Sequence, residues 1–102
     1  MKTKVIFRLF EDDIIALFPE EVGTNDPDTC MSYMRIGQHS SAHFNYVLFN
    51  SQNPYKKKKA KEVKQLKEEL KNIGYELKEI RNVCQFKHYK EVRKNKLAKT
   101  TK

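Results

Sequence analysis

A chain of 102 residues, 38% hydrophobic and 33% charged, has room for one domain with a thin core. No stretch reaches the roughly 18 apolar residues of a membrane helix, and three glycines form neither a GxGxxG turn nor a P-loop. Two cysteines make no disulfide framework, so reduced thiols and a cytoplasmic setting are expected.

The formal net charge of +8 is unevenly spread. Residues 1–53 carry four basic residues against seven acids, a net of −3, whereas residues 54–102 carry 17 against six, a net of +11. Such asymmetry points to a surface for an anionic partner, or to a solvated arm.

The N-terminus opens on a strand pattern in place of a charged n-region and apolar run, so no secretory leader is expected. In residues 4–10 Val5, Phe7 and Leu9 alternate with Ile6, Arg8 and Phe10. Glu11, Asp12 and Asp13 suit a short loop, and residues 14–18 form a second strand that stops at Pro19, giving a β-hairpin. Residues 20–29 hold Gly23, Pro27 and four acids, and read as an acidic loop. A third strand over 30–36 ends at Gly37 and is expected to pair antiparallel with the hairpin. Residues 41–49 fit two patterns: a short helix capped by Ser40 or Ser41 with Phe44, Val47 and Leu48 inward, or a strand over His43–Phe49.

Asn53 and Pro54 then open a helix that runs to about Ile73, with Gly74 at the position past its end. Val63, Leu66, Leu70 and Ile73 give it one apolar stripe, and Lys57, Lys61, Lys64 and Lys71 fall on the far side. Tyr75–Val83 reads as a final strand, and Phe86, Tyr89 and Val92 extend a helix-like segment. The expected fold is α+β: a small antiparallel sheet of hairpin, third strand and C-terminal strand. One long helix covers one face of it, joined by a short one if residues 41–49 are helical. Residues 1–92 form the domain, and 93–102 a basic, flexible tail.

Three chemistries are open to these residues. His39-x3-His43 and Cys84-x3-His88, with Cys30, have ligand-type side chains at helical spacing, but no Cys-x2-Cys knuckle accompanies them, and no metal or cofactor is expected. Cys30 beside His39 or His43, with Gln38 as an oxyanion donor, has the parts of a thiolate pair. A strand cysteine is more often buried and inert, so a non-enzymatic protein is expected. Binding is the third. Lys57, Lys61, Lys64 and Lys71, with Arg93 and Lys94 of the tail, supply charge for nucleic-acid phosphates or for an acidic protein. Since 17 of the 21 basic residues are lysines, contact with nucleic acid is expected to be non-specific. Gln38 and His39, a polar pair at a strand end, are further contact candidates.

Val5–Arg8, Ala16–Glu20 and the run Cys30–His39 together resemble a family of short proteins from bacteria, their phages and mobile elements that has no assigned activity. The resemblance covers the N-terminal half and extends to the Leu70–Leu77 step. It implies an accessory protein acting in the bacterial cytoplasm, or in the virion if phage-encoded. A fainter similarity is to HicB-type antitoxins, which also begin with a hairpin ending in a Phe-Pro pair, here Phe18-Pro19. It implies an inhibitor or antitoxin-like module working by protein–protein interaction. Gly37-Gln38-His39 stands where those proteins open a helix with Gly-Asp, and no helix-turn-helix follows.

Overall fold

The computed structural model describes residues 2–34, 38–81 and 86–100. Strand β1 (Thr3–Phe10) turns through Glu11 and Asp12 into β2 (Asp13–Val22). Both turn residues have positive φ, 51° and 65°, the backbone of a two-residue hairpin turn whose twist matches the strands. Asp13 therefore belongs to the strand, where it pairs with Phe10.

Strand β2 does not stop at Pro19. It continues to Val22 through a register shift between Phe18 and Val22, where proline's missing N–H leaves no gap in a regular ladder. Strand β3 (Thr29–Met34) pairs antiparallel with β2, and β4 (Gln38–His43) pairs antiparallel with β3. Gly23 lies close above this junction: a Cβ there would sit 2.6 Å from the Cys30 carbonyl oxygen, so only glycine fits.

Of the two patterns expected for residues 41–49 the helix is found, over Phe44–Phe49, and not the strand over His43–Phe49; the strand β4 that precedes it was not expected. The strand runs to His43, and helix α1 (Phe44–Phe49) follows, capped by the His43 imidazole instead of Ser40 or Ser41. Nδ1 of His43 accepts from the Tyr46 N–H at 3.2 Å.

The lysine-rich helix begins later than expected. Asn53 Oδ1 accepts the Tyr55 N–H, the amides of Lys57 and Lys59 both donate to the Pro54 carbonyl, and Lys58 takes a φ of 59°. Helix α2 (Ala60–Asn72) starts with the Val63 amide on the Lys59 carbonyl. Its end is as expected, with Gly74 at φ 114° past the cap at Ile73.

Strand β5 (Leu77–Glu79) is shorter than the predicted segment and lies parallel to β1, so the five-stranded sheet is mixed, in the order β4-β3-β2-β1-β5. Helix α3 (Phe86–Thr100) ends the described chain, and residues 93–100 are part of it. The expected boundary at 92/93 thus falls inside a helix. Gly37, expected to end the third strand, lies outside the described residues, as does Cys84.

The sheet is covered on both faces, not one. Val5, Phe7, Ala16 and Phe18 pack beneath Val63, Leu66 and Leu70 of α2. Ile6, Ile15 and Leu17, the alternate residues, pack against Phe44, Val47 and Leu48 of α1 and Tyr89 of α3. This architecture is α+β, and among the described residues no helix is long and apolar enough to cross a membrane.

Candidate anion-binding surface

Helix α2 sorts its charges by flank, because its apolar stripe fixes which side meets which strand. Lys67, beside the stripe, ion-pairs with Glu79 of β5 and lies 5.7 Å from the centre of the Phe7 ring. Lys71, Lys64 and Lys61 follow it round the same flank and are exposed, with the exposed Glu68 interrupting them between Lys64 and Lys61. Glu62 and Glu69 occupy the other flank, toward β3, each with one carboxylate oxygen buried and without a hydrogen-bond partner among the described residues. The Tyr33 phenol, hydrogen-bonded to Glu69, is held above its ordinary range. Positive charge therefore gathers on the β5 side, where Arg81 is also exposed; Lys78 alternates with Leu77 and Glu79 and falls on the opposite sheet face. Lys57, in the turn ahead of the helix, is exposed too. Among the described residues, Lys57, Lys61, Lys64 and Lys71 make no ion pair.

A polar cluster anchors this side. The Tyr55 hydroxyl donates to Glu79, Arg81 lies 3.5 Å from the same carboxylate, and its guanidinium stacks 4.2 Å from the centre of the Tyr55 ring. Burial pushes the Glu79 carboxyl up, but hydrogen bonds from Lys67 and Tyr55 and the nearby charges outweigh it, leaving the pKa below the ordinary value. The Tyr55 phenol is raised, first by burial and then by Glu79. Because the folded Glu79 pKa is depressed, its contribution to stability is present above the unfolded-state value, about 4.3 for glutamate. It is lost as pH falls through the folded value. Glu79→Gln should therefore flatten the loss of stability in this acid range, measured by urea unfolding at stepped pH; an unchanged slope would contradict the assignment.

The remaining sequence candidates are scattered. Lys94 is exposed on α3, 3.7 Å from Glu91, and α3 lies on the opposite sheet face from α2. Arg93 is no surface cation. It is 1% exposed, donating to the carbonyls of Pro27 at 2.8 Å and Pro19 at 2.6 Å, with its guanidinium 4.9 Å from the centre of the Phe44 ring. The helical turn from Tyr89 to Arg93 puts both on the inward face, and the buried guanidinium replaces water with backbone oxygens.

The acidic loop and the basic C-terminal segment meet each other. Lys90 bonds Asp28 at 2.8 Å and Lys96 lies 3.4 Å from Glu21, while Lys4 reaches Glu20 at 3.0 Å. The Lys90 contact lowers the Asp28 pKa and the Asp28 contact raises that of Lys90. Part of the basic charge read as an arm is thus matched within the chain.

His39 has a structural role. Its Nε2 lies 2.8 Å from the Tyr75 hydroxyl, and its ring meets Tyr33 edge-on at 4.9 Å. Gln38 pairs through its backbone with Met34.

Cys30 and the histidines are split by the sheet. Cys30 pairs with Ala42 and faces α1 and α3, whereas His39 and His43 fall on the other face. Burial pushes the Cys30 thiol up to about 12, so it is held as the thiol. His39 and His43 lie on an extended strand, about 13 Å apart, too far to share a metal. Among the described residues no group of three or more His, Cys, Asp or Glu side chains is placed to hold a metal ion.

The sequence reading missed Arg81, because its contribution depends on β5 lying beside β1, which brings Glu79 and Tyr55 to it. No family model matches this chain, and no curated protein or solved structure matches it.

Proposed function

We propose that this chain is a non-enzymatic nucleic-acid-binding protein that holds a phosphate backbone against the lysine flank of α2 and the adjoining β5 side. The observation that carries this reading is the sorting of charge: Lys61, Lys64 and Lys71 stand exposed on one flank, interrupted only by Glu68, with Lys57 and Arg81 beside them, while Glu62 and Glu69 are turned away. A patch of uncommitted ammonium groups gains affinity by releasing counterions from phosphates and reads no base sequence. An acidic protein partner is less favoured. Tight protein interfaces are built on buried aromatic or arginine anchors, whereas among the described residues the exposed large apolar side chains are Tyr46, Phe49 and Ile73, of which Ile73 alone is next to α2. The resemblance to short phage and mobile-element proteins agrees with an accessory role of this kind inside a bacterial cell.

The test is fluorescence anisotropy with labelled single-stranded and duplex oligonucleotides across a salt series. The logarithm of affinity should fall linearly with the logarithm of salt concentration, to similar degrees for unrelated base sequences. No measurable binding at low salt would sink the proposal.

A further inference from the structure

The outer edge of β4 is built for pairing. The hairpin turn fixes Phe10 and Asp13 as a hydrogen-bonded pair, and bonding then alternates across each antiparallel ladder. Followed from β1 to β4, this parity makes Met34–Gln38, Ser32–Ser40 and Cys30–Ala42 the bonded pairs. The Phe44 amide on the Asp28 carbonyl, at 2.9 Å, continues the same alternation. The backbone groups of His39, Ser41 and the His43 N–H therefore point away from the sheet. Among the described residues no strand lies beyond them. Among the described residues the Ser41 carbonyl accepts only its neighbour's hydroxyl, at 3.3 Å.

Exposed edges of this kind are normally blunted by lysine, proline, a bulge or short length. The edge at β5 is blunted: it has three residues, with Lys78 exposed on it. The edge at β4 is not. Its six residues, Gln38 to His43, include no lysine, arginine, acid or proline, in a chain of net charge +8.

We propose that β4 pairs antiparallel with β4 of a second copy of this chain, about a two-fold axis at Ser41. In that register the two Ser41 residues exchange both backbone hydrogen bonds. Each His43 N–H reaches the His39 carbonyl of the other copy, while the His43 carbonyl turns into α1. On one face Ser40 meets Ala42; on the other His39 meets His43 across the seam, and neither pair carries a formal charge. Charge selects a second copy at this edge: two strongly basic molecules meet where neither carries a formal charge, and their lysine flanks lie at the far ends of a continuous sheet. The blunted β5 edges then stop growth, giving a closed isologous dimer and not a filament. The pairing rests on the strand edge alone, independent of the nucleic-acid reading.

Sedimentation velocity on the full chain, from roughly 10 µM to 1 mM, should show the mass doubling within that range. Ser41→Pro removes the N–H at the axis without touching the bonds between β3 and β4. Ser41→Lys sets two ammonium groups against each other, and it carries the test if proline disturbs the strand. Each should weaken dimerisation at least about tenfold while retaining the melting midpoint of the parent chain. Ser41→Cys in a Cys84→Ser background should form an intermolecular disulfide, since paired Cα atoms at such a position lie about 5.5 Å apart. A chain monomeric throughout the range overturns the proposal and leaves the edge to a strand of another protein. A dimer that is equally stable in the Ser41→Pro and Ser41→Lys variants overturns it too.

Discussion

Replacing Arg93 with alanine should destabilise the protein by on the order of 3 kcal/mol, measured by urea unfolding. The guanidinium is buried, and its removal leaves the carbonyls of Pro19 and Pro27 without their donor and opens a void against Phe44. Among the described side chains of helix α3 Tyr89 is the other fully buried one, and Lys90 and Lys96 add ion pairs that are half-exposed and each contribute little. Arg93→Lys should recover only part of the loss, because one ammonium cannot reproduce the fork that reaches two carbonyls. Helix α3 covers Cys30, so the Cys30 thiol in a Cys84→Ser background should react faster with a thiol reagent once Arg93 is removed. If Arg93→Ala unfolds at the parent urea midpoint with Cys30 still protected, the anchoring role is wrong.

Exchanging Lys57, Lys61, Lys64 and Lys71 for glutamine should weaken nucleic-acid binding on the order of 100-fold or more at low salt. All four are exposed and none is ion-paired among the described residues, so the melting midpoint should stay nearly constant. The matching change at Lys90 and Lys96 should do the reverse. Those ammonium groups already serve Asp28 and Glu21, so their loss should lower stability more than affinity. The Lys94→Gln variant should bind much as the parent does, because α3 lies across the sheet from the α2 flank.

Much of this arrangement was legible in the residues. The stripe Val63, Leu66, Leu70 fixed the inward face of α2, and so its lysine face as well, because period and rise alone set those positions. Gly74 marked the helix end through the one backbone conformation that glycine adopts freely. Other features depend on contacts between distant parts of the chain. Nothing near Lys58 announces that Asn53 and Tyr55 will divert the backbone into a turn, drawn toward Glu79, which lies 24 residues from Tyr55. Arg93 reads as one more cation in a basic segment until the Pro19 and Pro27 carbonyls are brought to it by the β2 irregularity. The parallel placement of β5 likewise follows from α2 crossing the sheet. His39 looked like a free polar residue because its partner, Tyr75, lies 36 positions away.

The most direct measurement of the central claim is the salt dependence of duplex binding for the parent chain and the four-lysine variant, taken side by side. The account predicts a variant slope shallower by about 3 to 4, one step for each phosphate contact removed, with the fold intact by circular dichroism. Equal slopes in the two proteins would contradict it, placing the binding charge somewhere other than the α2 flank.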